Sequence, residues 1–229
     1  ALARAHGVEL RDLRKPPEGL NVPTGENLEL RANIVLTVGS DCAIGKKTVA
    51  LELDLEARRR GLQSVFVPTG QTGIAIAGWG IAVDAVVSDF LAGAAERLVV
   101  EGHRRGGELL FVEGQGSLSH PAYSGVTLGL IHGSAPHLYV LCHKAHATEI
   151  EGYPGHPLPS LEQLIELHER ISLPLRPARV ACIALNTAEL DDEEARRAIA
   201  EATAQTGLPA DDPVRFGAGP LLDAVLTAI

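Results

Sequence analysis

The sequence predicts an α/β fold, a mostly parallel sheet with helices on both faces. Short apolar runs alternate with longer helical patterns from Ala32 onward, the signature of strands and crossover helices in one sheet. The composition agrees: 45% of residues are hydrophobic but only 3% aromatic, so the core is built from Ala, Val, Leu and Ile, as doubly covered parallel strands require. A third sign is a glycine-rich turn, "VGSDCAIGKKTVALEL" at 38–53, running from the first strand into the first long helix.

In chain order the pattern reads strand 32–38, helix 46–60, strand 64–68, then a glycine-punctuated loop. A helix near 88–104 and strand 108–113 follow, then a stretch 114–137 read as a long structured loop, and strand 138–142. Helix 160–171, strand 180–185, helix 191–206 and a short helix 220–228 complete the chain. "SLEQ" at 160–163 fits a capping box, and "DDEE" at 191–194 puts acids in a first turn with Gly207 past the end, both helix boundary signals independent of hydrophobicity.

Charge and cysteines narrow the function. A net charge of −9 argues against a nucleic-acid surface, which needs a basic face, so an anionic ligand must be held locally. Cys42, Cys142 and Cys182 are far apart and form no CxxC pair, which suggests neither a disulfide framework nor a zinc ribbon and makes a reducing cytoplasm the default. No apolar run approaches the roughly 20 residues of a membrane span. Residues 1–31, with "RKPPEG", read as a linker or tail of an upstream domain, and 32–229 as the α/β domain. A small-molecule substrate and a homo-oligomer are the expected partners.

The loop after the first strand carries the parts of a phosphate-binding loop, which places the fold in the P-loop NTPase-like class. Backbone N–H groups of such a turn and of the next helix surround phosphate oxygens, and a lysine reaches back over them. Gly39, Ser40, Asp41, Cys42, Gly45, Lys46, Lys47 and Thr48 are the candidate ligand-binding residues. The spacing from Gly39 is one residue longer than G-x4-GK, so Ser40 takes the usual first place. Lys47 stands where a Ser or Thr normally ligates Mg²⁺, and an ammonium cannot do so. Adjacent lysines suit the phosphates of coenzyme A, which need charge and no metal. Cys42 reads either as a small loop cysteine or as a carrier of an acyl thioester.

Two further polar loops leave apolar strands, "PTGQTG" at 68–73 and "VEGQGSLSHPAYSG" at 112–125. Ligands of open α/β sheets sit beyond the carboxyl ends of the strands, so both loops are expected to flank the P-loop. Glu113 and His120 are the candidate general bases. Gln71, Thr72, Gln115, Ser117 and Tyr123 offer hydrogen bonds or closure to a substrate, and His143 and Lys144 leave the strand "LYVLC" at its carboxyl end. The histidines complete no recognisable metal-ligand set, so no metal is expected; Asp84 and Asp89 could pair as carboxylates, though Asp89 reads better as a helix start.

"GSDCAIGKKT", "TGQTG", "VDAVVSDFLAGAAE", "VEGQGSLSHPAYSGVTLGLIHGSAP" and "LCHKA" occur in order, and together they resemble a family first catalogued as a P-loop domain of unknown function and associated with D-glutamate N-acetyltransferase. The resemblance covers about residues 1–220 and implies a Rossmann-like domain upstream of this one. A weaker similarity joins "GSDCAIGKKT", "VEGQGS" and "ALNT" to dethiobiotin synthetase, which implies that Asn186 lies where a purine is read. The resemblance implies transfer of an acetyl group from acetyl-coenzyme A to the amine of an acidic D-amino acid, with Glu113 or His120 deprotonating the amine and the amides after Gly114 and Lys46 facing the oxyanion. The alternatives are an ATP- and Mg²⁺-dependent ligase or kinase, and a nucleotide-binding module without catalysis.

Overall fold

The computed structural model describes residues 2–229. Six strands, β1 (Asn33–Gly39), β2 (Ser64–Val67), β3 (Leu109–Val112), β4 (Leu138–Lys144), β5 (Arg179–Asn186) and β6 (Ala210–Asp211), form one sheet in the order β2-β3-β1-β4-β5-β6. Every pairing within it is parallel. The helices are α1 (Leu2–Ala5), α2 (Lys46–Arg59), α3 (Gln71–Ala77), α4 (Ser88–Arg104), α5 (Ser124–Ser134), α6 (Leu161–Arg170), α7 (Asp192–Thr206) and α8 (Gly219–Ala228). Among the described residues no helix is long and apolar enough to cross a membrane.

The period-two alternation of the strands divides the core into two layers. Ile34, Leu36 and Val38 face α4, α5, α6 and α7 through Leu98, Val99, Ile131, Leu164 and Ala198. Val35, Phe111 and Val140 face α2 and α8 through Val49, Leu53, Leu221 and Val225. The expected caps are present: Ser160 and Gln163 close a capping box on α6, Asp191 caps α7 with Glu194, and Gly207 ends α7 in the left-handed region at φ 69°.

The stretch 114–137, read from sequence as loop, contains α5, and the glycine-punctuated loop after β2 contains α3. Glycines lower helix propensity and hid both. Packing requires them in α5: a side-chain carbon on Gly129 would overlap Leu91, and one on Gly133 would overlap the backbone of Ala92. Close approach to α4 therefore replaces propensity as the source of the helix. Strand β6 and its pairing with β5 are also absent from the sequence reading.

Residues 21–30, within the predicted linker, are bound to the domain. Buried Glu96 accepts from Thr24 N at 2.6 Å and Gly25 N at 2.5 Å. Asn27 Nδ2 donates to Gly133 O at 2.8 Å, and Arg176 donates to Leu28 O at 2.7 Å. Gly93 leaves room for the backbone of Asn21.

Two expectations test this packing. Gly125 in α5 has open space around it whereas Gly133 does not, so Gly125→Ala is expected to raise stability by roughly 0.5–1 kcal/mol. Gly133→Ala should lower it despite the same propensity gain, because overpacking costs about 1–3 kcal/mol; urea denaturation of both variants checks the contrast. His168 is fully buried, with Nδ1 on Leu164 O at 2.7 Å and no partner for Nε2. Burial pushes its pKa down to about 4 from 6.5. The unfolded chain takes up this proton first, so the stability it confers is complete above about pH 6.5 and lost as pH falls toward 4. His168→Phe is expected to flatten the fall of Tm across that window relative to the wild type.

Candidate functional site

The turn between β1 and α2 is a phosphate-binding loop in geometry as well as sequence. Ser40 N extends the β1–β4 ladder by donating to Cys142 O at 3.0 Å, after which the chain leaves the sheet. Ala43 and Gly45 take left-handed conformations at φ 52° and 115°, and Gly45 is the N-cap of α2. The Ala43 conformation is costly for a non-glycine residue and is held by the surrounding loop. Lys46 turns back into the loop, with Nζ donating to Asp41 O at 2.5 Å. It is almost fully buried, and burial lowers its pKa while Cys142, Cys42 and Asp41 raise it. Gly39 makes room for it: an added carbon would lie 3.2 Å from Lys46 Nζ and 2.7 Å from Ile44 Cδ1.

A cleft of about 560 Å³ opens beyond this loop. Cys42, Gly45, Lys46, Lys47 and Thr48 line one wall, Gln71 and Thr72 at the start of α3 another, and Glu113, Gln115 and Tyr123 the third. The β3 loop borders the P-loop directly because β3 pairs with β1, whereas the β2 loop reaches the cleft across β3. Glu113 couples these loops: Oε2 accepts from Thr69 N at 2.9 Å and Gly70 N at 3.1 Å, and its carbonyl accepts from Thr69 Oγ1 at 2.6 Å. Burial raises its pKa, while those amides, the Lys47 ammonium and Gln115 lower it. A partly desolvated carboxylate with a raised pKa, facing a cleft, has the character of a proton acceptor.

A second cleft of about 440 Å³ shares Ile44, Gly45 and Thr48 with the first and continues past Asn186, Asp212 and Arg215. Asn186 Nδ2 donates to Ile44 O at 3.2 Å, and its Oδ1 accepts from Ala188 N at 3.1 Å. Asp212, buried, shapes the wall by accepting from Thr187 and from Val214 N and Arg215 N. The two clefts meet at the N-terminus of α2, a position whose free backbone N–H groups favour an anion.

Other predicted residues stand behind the cleft. His120 is not in the lining: Ala122 N donates to its Nδ1 at 3.2 Å, Nε2 faces Glu151 O at 3.3 Å, and the ring stacks on Tyr123. Of the two candidate bases, therefore, Glu113 lines the cleft and His120 does not; the Pro-containing turn folds it inward. Ser117 Oγ donates to Ser40 O at 2.9 Å, and His143 Nδ1 meets Ser40 Oγ at 2.9 Å, so both buttress the loop. Burial lowers the pKa of His143. Asp41 accepts from Cys42 N at 2.7 Å and Glu151 N at 2.6 Å. Lys144 lies outside both clefts, paired with Glu189 at 2.7 Å, because strand alternation turns it away from His143.

The sequence reading did not join Asp84 to the site, nor Asp212 and Arg215. Asp84 lines the first cleft and pairs with Arg14 at 2.8 Å, and only the fold of 78–87 over α3 brings it there. The sequence reading found no metal-ligand set, yet one cluster of the required types forms among the described residues, from Asp41, Cys42 and His120.

The fold and this loop define a P-loop α/β domain. The chain belongs to the DUF1611 family, matching the model described as a domain of unknown function, DUF1611_C, P-loop domain, over residues 21–222. It is 41% identical to a protein of Tritonibacter scottomollicae named D-glutamate N-acetyltransferase, covering 98% of this chain and 67% of that one. A Pseudoalteromonas protein of the same name is 38% identical over 95% of this chain and 64% of its own. The crystal structure of a DUF1611 family protein from Anabaena variabilis superposes with a TM-score of 0.93 at 46% identity, over 96% of this chain and 65% of that one. This chain therefore spans about two thirds of the length of these proteins. The Aeropyrum pernix signal recognition particle 54 kDa protein in complex with GDP shares the fold at TM-score 0.54 and 19% identity, over 93% of this chain and 57% of that one.

Lys46→Ala is expected to weaken calorimetric binding of coenzyme A by about 10- to 100-fold, since a charged hydrogen bond contributes roughly 1.5–3 kcal/mol. Unchanged affinity would move the phosphates off this loop.

Proposed function

We propose that this chain forms the acetyl-transfer site of a D-glutamate N-acetyltransferase, with acetyl-coenzyme A as donor. The observation that carries the reading is Lys47 at the α2 N-terminus, lining the same cleft as Glu113 and acting on its charge. A P-loop enzyme handling a γ-phosphate holds Mg²⁺ through the hydroxyl of this position. Here an ammonium occupies it, which serves a diphosphate and cannot ligate the metal. The names of the two relatives support the same activity.

In this reading the diphosphate lies against the amides of Gly45 to Thr48, with Lys46 beneath it, and the adenosine end enters the cleft at Asn186. The acyl end extends toward Gln71, Gln115 and Tyr123. Glu113 takes a proton from the acceptor ammonium, and its raised pKa brings it closer to the operating range. The amide following Gly114 faces the oxygen on which charge develops.

Two measurements test the reading. Acetylation of D-glutamate by the protein is expected to proceed undiminished in EDTA, while acetyl-coenzyme A raises Tm more than ATP with Mg²⁺ at equal concentration. Stabilisation by ATP with Mg²⁺ alone would favour the ligase or kinase instead. Glu113→Gln keeps an acceptor for Thr69 N and Gly70 N but removes the base, so kcat should fall by about 10²–10⁴-fold with coenzyme A affinity retained; a full-rate variant would remove Glu113 from the chemistry.

A further inference from the structure

Cys42 belongs to the wall of the cleft, yet the acetyl transfer described above gives it no task. It is half-buried at the cleft, and behind it Asp41 and His120 are each 4% exposed. The thiol sulfur, a carboxylate oxygen and a ring nitrogen of this trio lie within 4.8 Å of one another. The imidazole is held in one orientation, stacked on Tyr123 at 4.6 Å and edge-on to Tyr153 at 5.2 Å. Ala122 N donates to Nδ1, so the ring is neutral there, with the Nε2 proton directed at Glu151 O. Nδ1 is left as the proton-accepting atom.

A nucleophile that faces a ligand cleft, with an imidazole behind it and a carboxylate beside that, is the arrangement that activates thiols for acyl transfer. We propose that Cys42 carries the acetyl group as a thioester between the acyl-coenzyme A donor and the amine acceptor. This rests on the acetyltransferase reading and adds a covalent step to it.

In the first half-reaction the thiol proton passes to His120 Nδ1, displacing the bond from Ala122 N, and Asp41 lies close to the imidazolium that forms. The sulfur attacks the thioester carbonyl, the carbon–sulfur bond to coenzyme A breaks, and the departing thiolate takes the proton from His120. In the second, the amine, after losing one proton to Glu113, attacks the Cys42 thioester. The amide bond forms, the carbon–sulfur bond to Cys42 breaks, and the second amine proton returns to the thiol through His120. One thioester is consumed, one amide is formed, and the proton on Glu113 leaves to solvent.

Burial raises the Cys42 thiol while the Lys46 ammonium opposes that shift, which is why a base is needed at the site. The separations of up to 4.8 Å are longer than a hydrogen bond, and the relay requires them to shorten in the complex with substrate, as catalytic contacts commonly do. A metal fits less well. Both Asp41 oxygens already accept amide protons, the Nε2 proton of His120 faces a carbonyl, and the Lys46 ammonium bears on the thiol.

The test incubates the protein with radiolabelled acetyl-coenzyme A and no amine. The expected result is label on the Cys42 peptide that hydroxylamine removes, exchange of label into free coenzyme A, and parallel double-reciprocal plots once D-glutamate is added. Cys42→Ala should bind coenzyme A by calorimetry yet lose the label and at least about 10³-fold in kcat. His120→Asn should slow label incorporation while coenzyme A binding by calorimetry is retained. A Cys42→Ala protein that acetylates D-glutamate at the wild-type rate would overturn the covalent step and leave the acetyltransferase reading standing. A wild-type protein that transfers no acetyl group from acetyl-coenzyme A would overturn that reading, and this step with it.

Discussion

The site depends on one close approach between neighbouring strands. Gly114, just past β3, lies against the carbonyl of Thr37 in β1 so tightly that any side chain would overlap it. Its N–H donates to Thr37 Oγ1 at 2.9 Å, and that hydroxyl donates to Val112 O at 3.2 Å. The strands are locked in register where both chains leave the sheet. Glu113 and Gln115 are thereby brought to the wall opposite the P-loop. A buried hydroxyl bonded on both sides is strong because neither partner has water as an alternative.

The consequences spread through hydrogen bonds rather than apolar contact. Glu113 holds the amides of Thr69 and Gly70, which starts α3 beside the cleft. Ser117 returns to Ser40, and Asp41 reaches Glu151, so the long loops after β3 and β4 are pinned to the same turn. The phosphate loop is enclosed by its neighbours on several sides. That enclosure lowers the cost of holding Ala43 in a left-handed conformation and of burying the Lys46 ammonium, both unfavourable in isolation.

Electrostatically the cleft is a small positive site on an acidic protein. Lys46, Lys47 and the N-terminus of α2 concentrate positive potential at one place, while the chain carries a net charge of −9. Anion binding therefore depends on local geometry rather than on the overall field. Glu113 and Asp84 add carboxylates to the same cleft, so it presents groups of both charge signs.

The sequence by itself determined the parallel α/β class, the strand and helix order around the P-loop, the capped helices α6 and α7, and the identity of the phosphate loop with its lysine in place of a hydroxyl. These are local properties: alternation, caps and a loop motif are written in consecutive residues. Tertiary structure alone decided that 71–77 and 124–134 are helices: Gly73 packs against Glu113 and Pro68, and Gly129 and Gly133 gain from contact with α4 what they lose in propensity. It also decided which polar residues share the cleft. Strand order placed Glu113 in it, alternation turned Lys144 away, and a proline turn folded His120 behind Cys42. Asp84 and Arg215 reached their clefts through chain paths that no spacing records. Which side chains meet across strands depends on register and crossover, and those are fixed only when the two core layers close on the sheet.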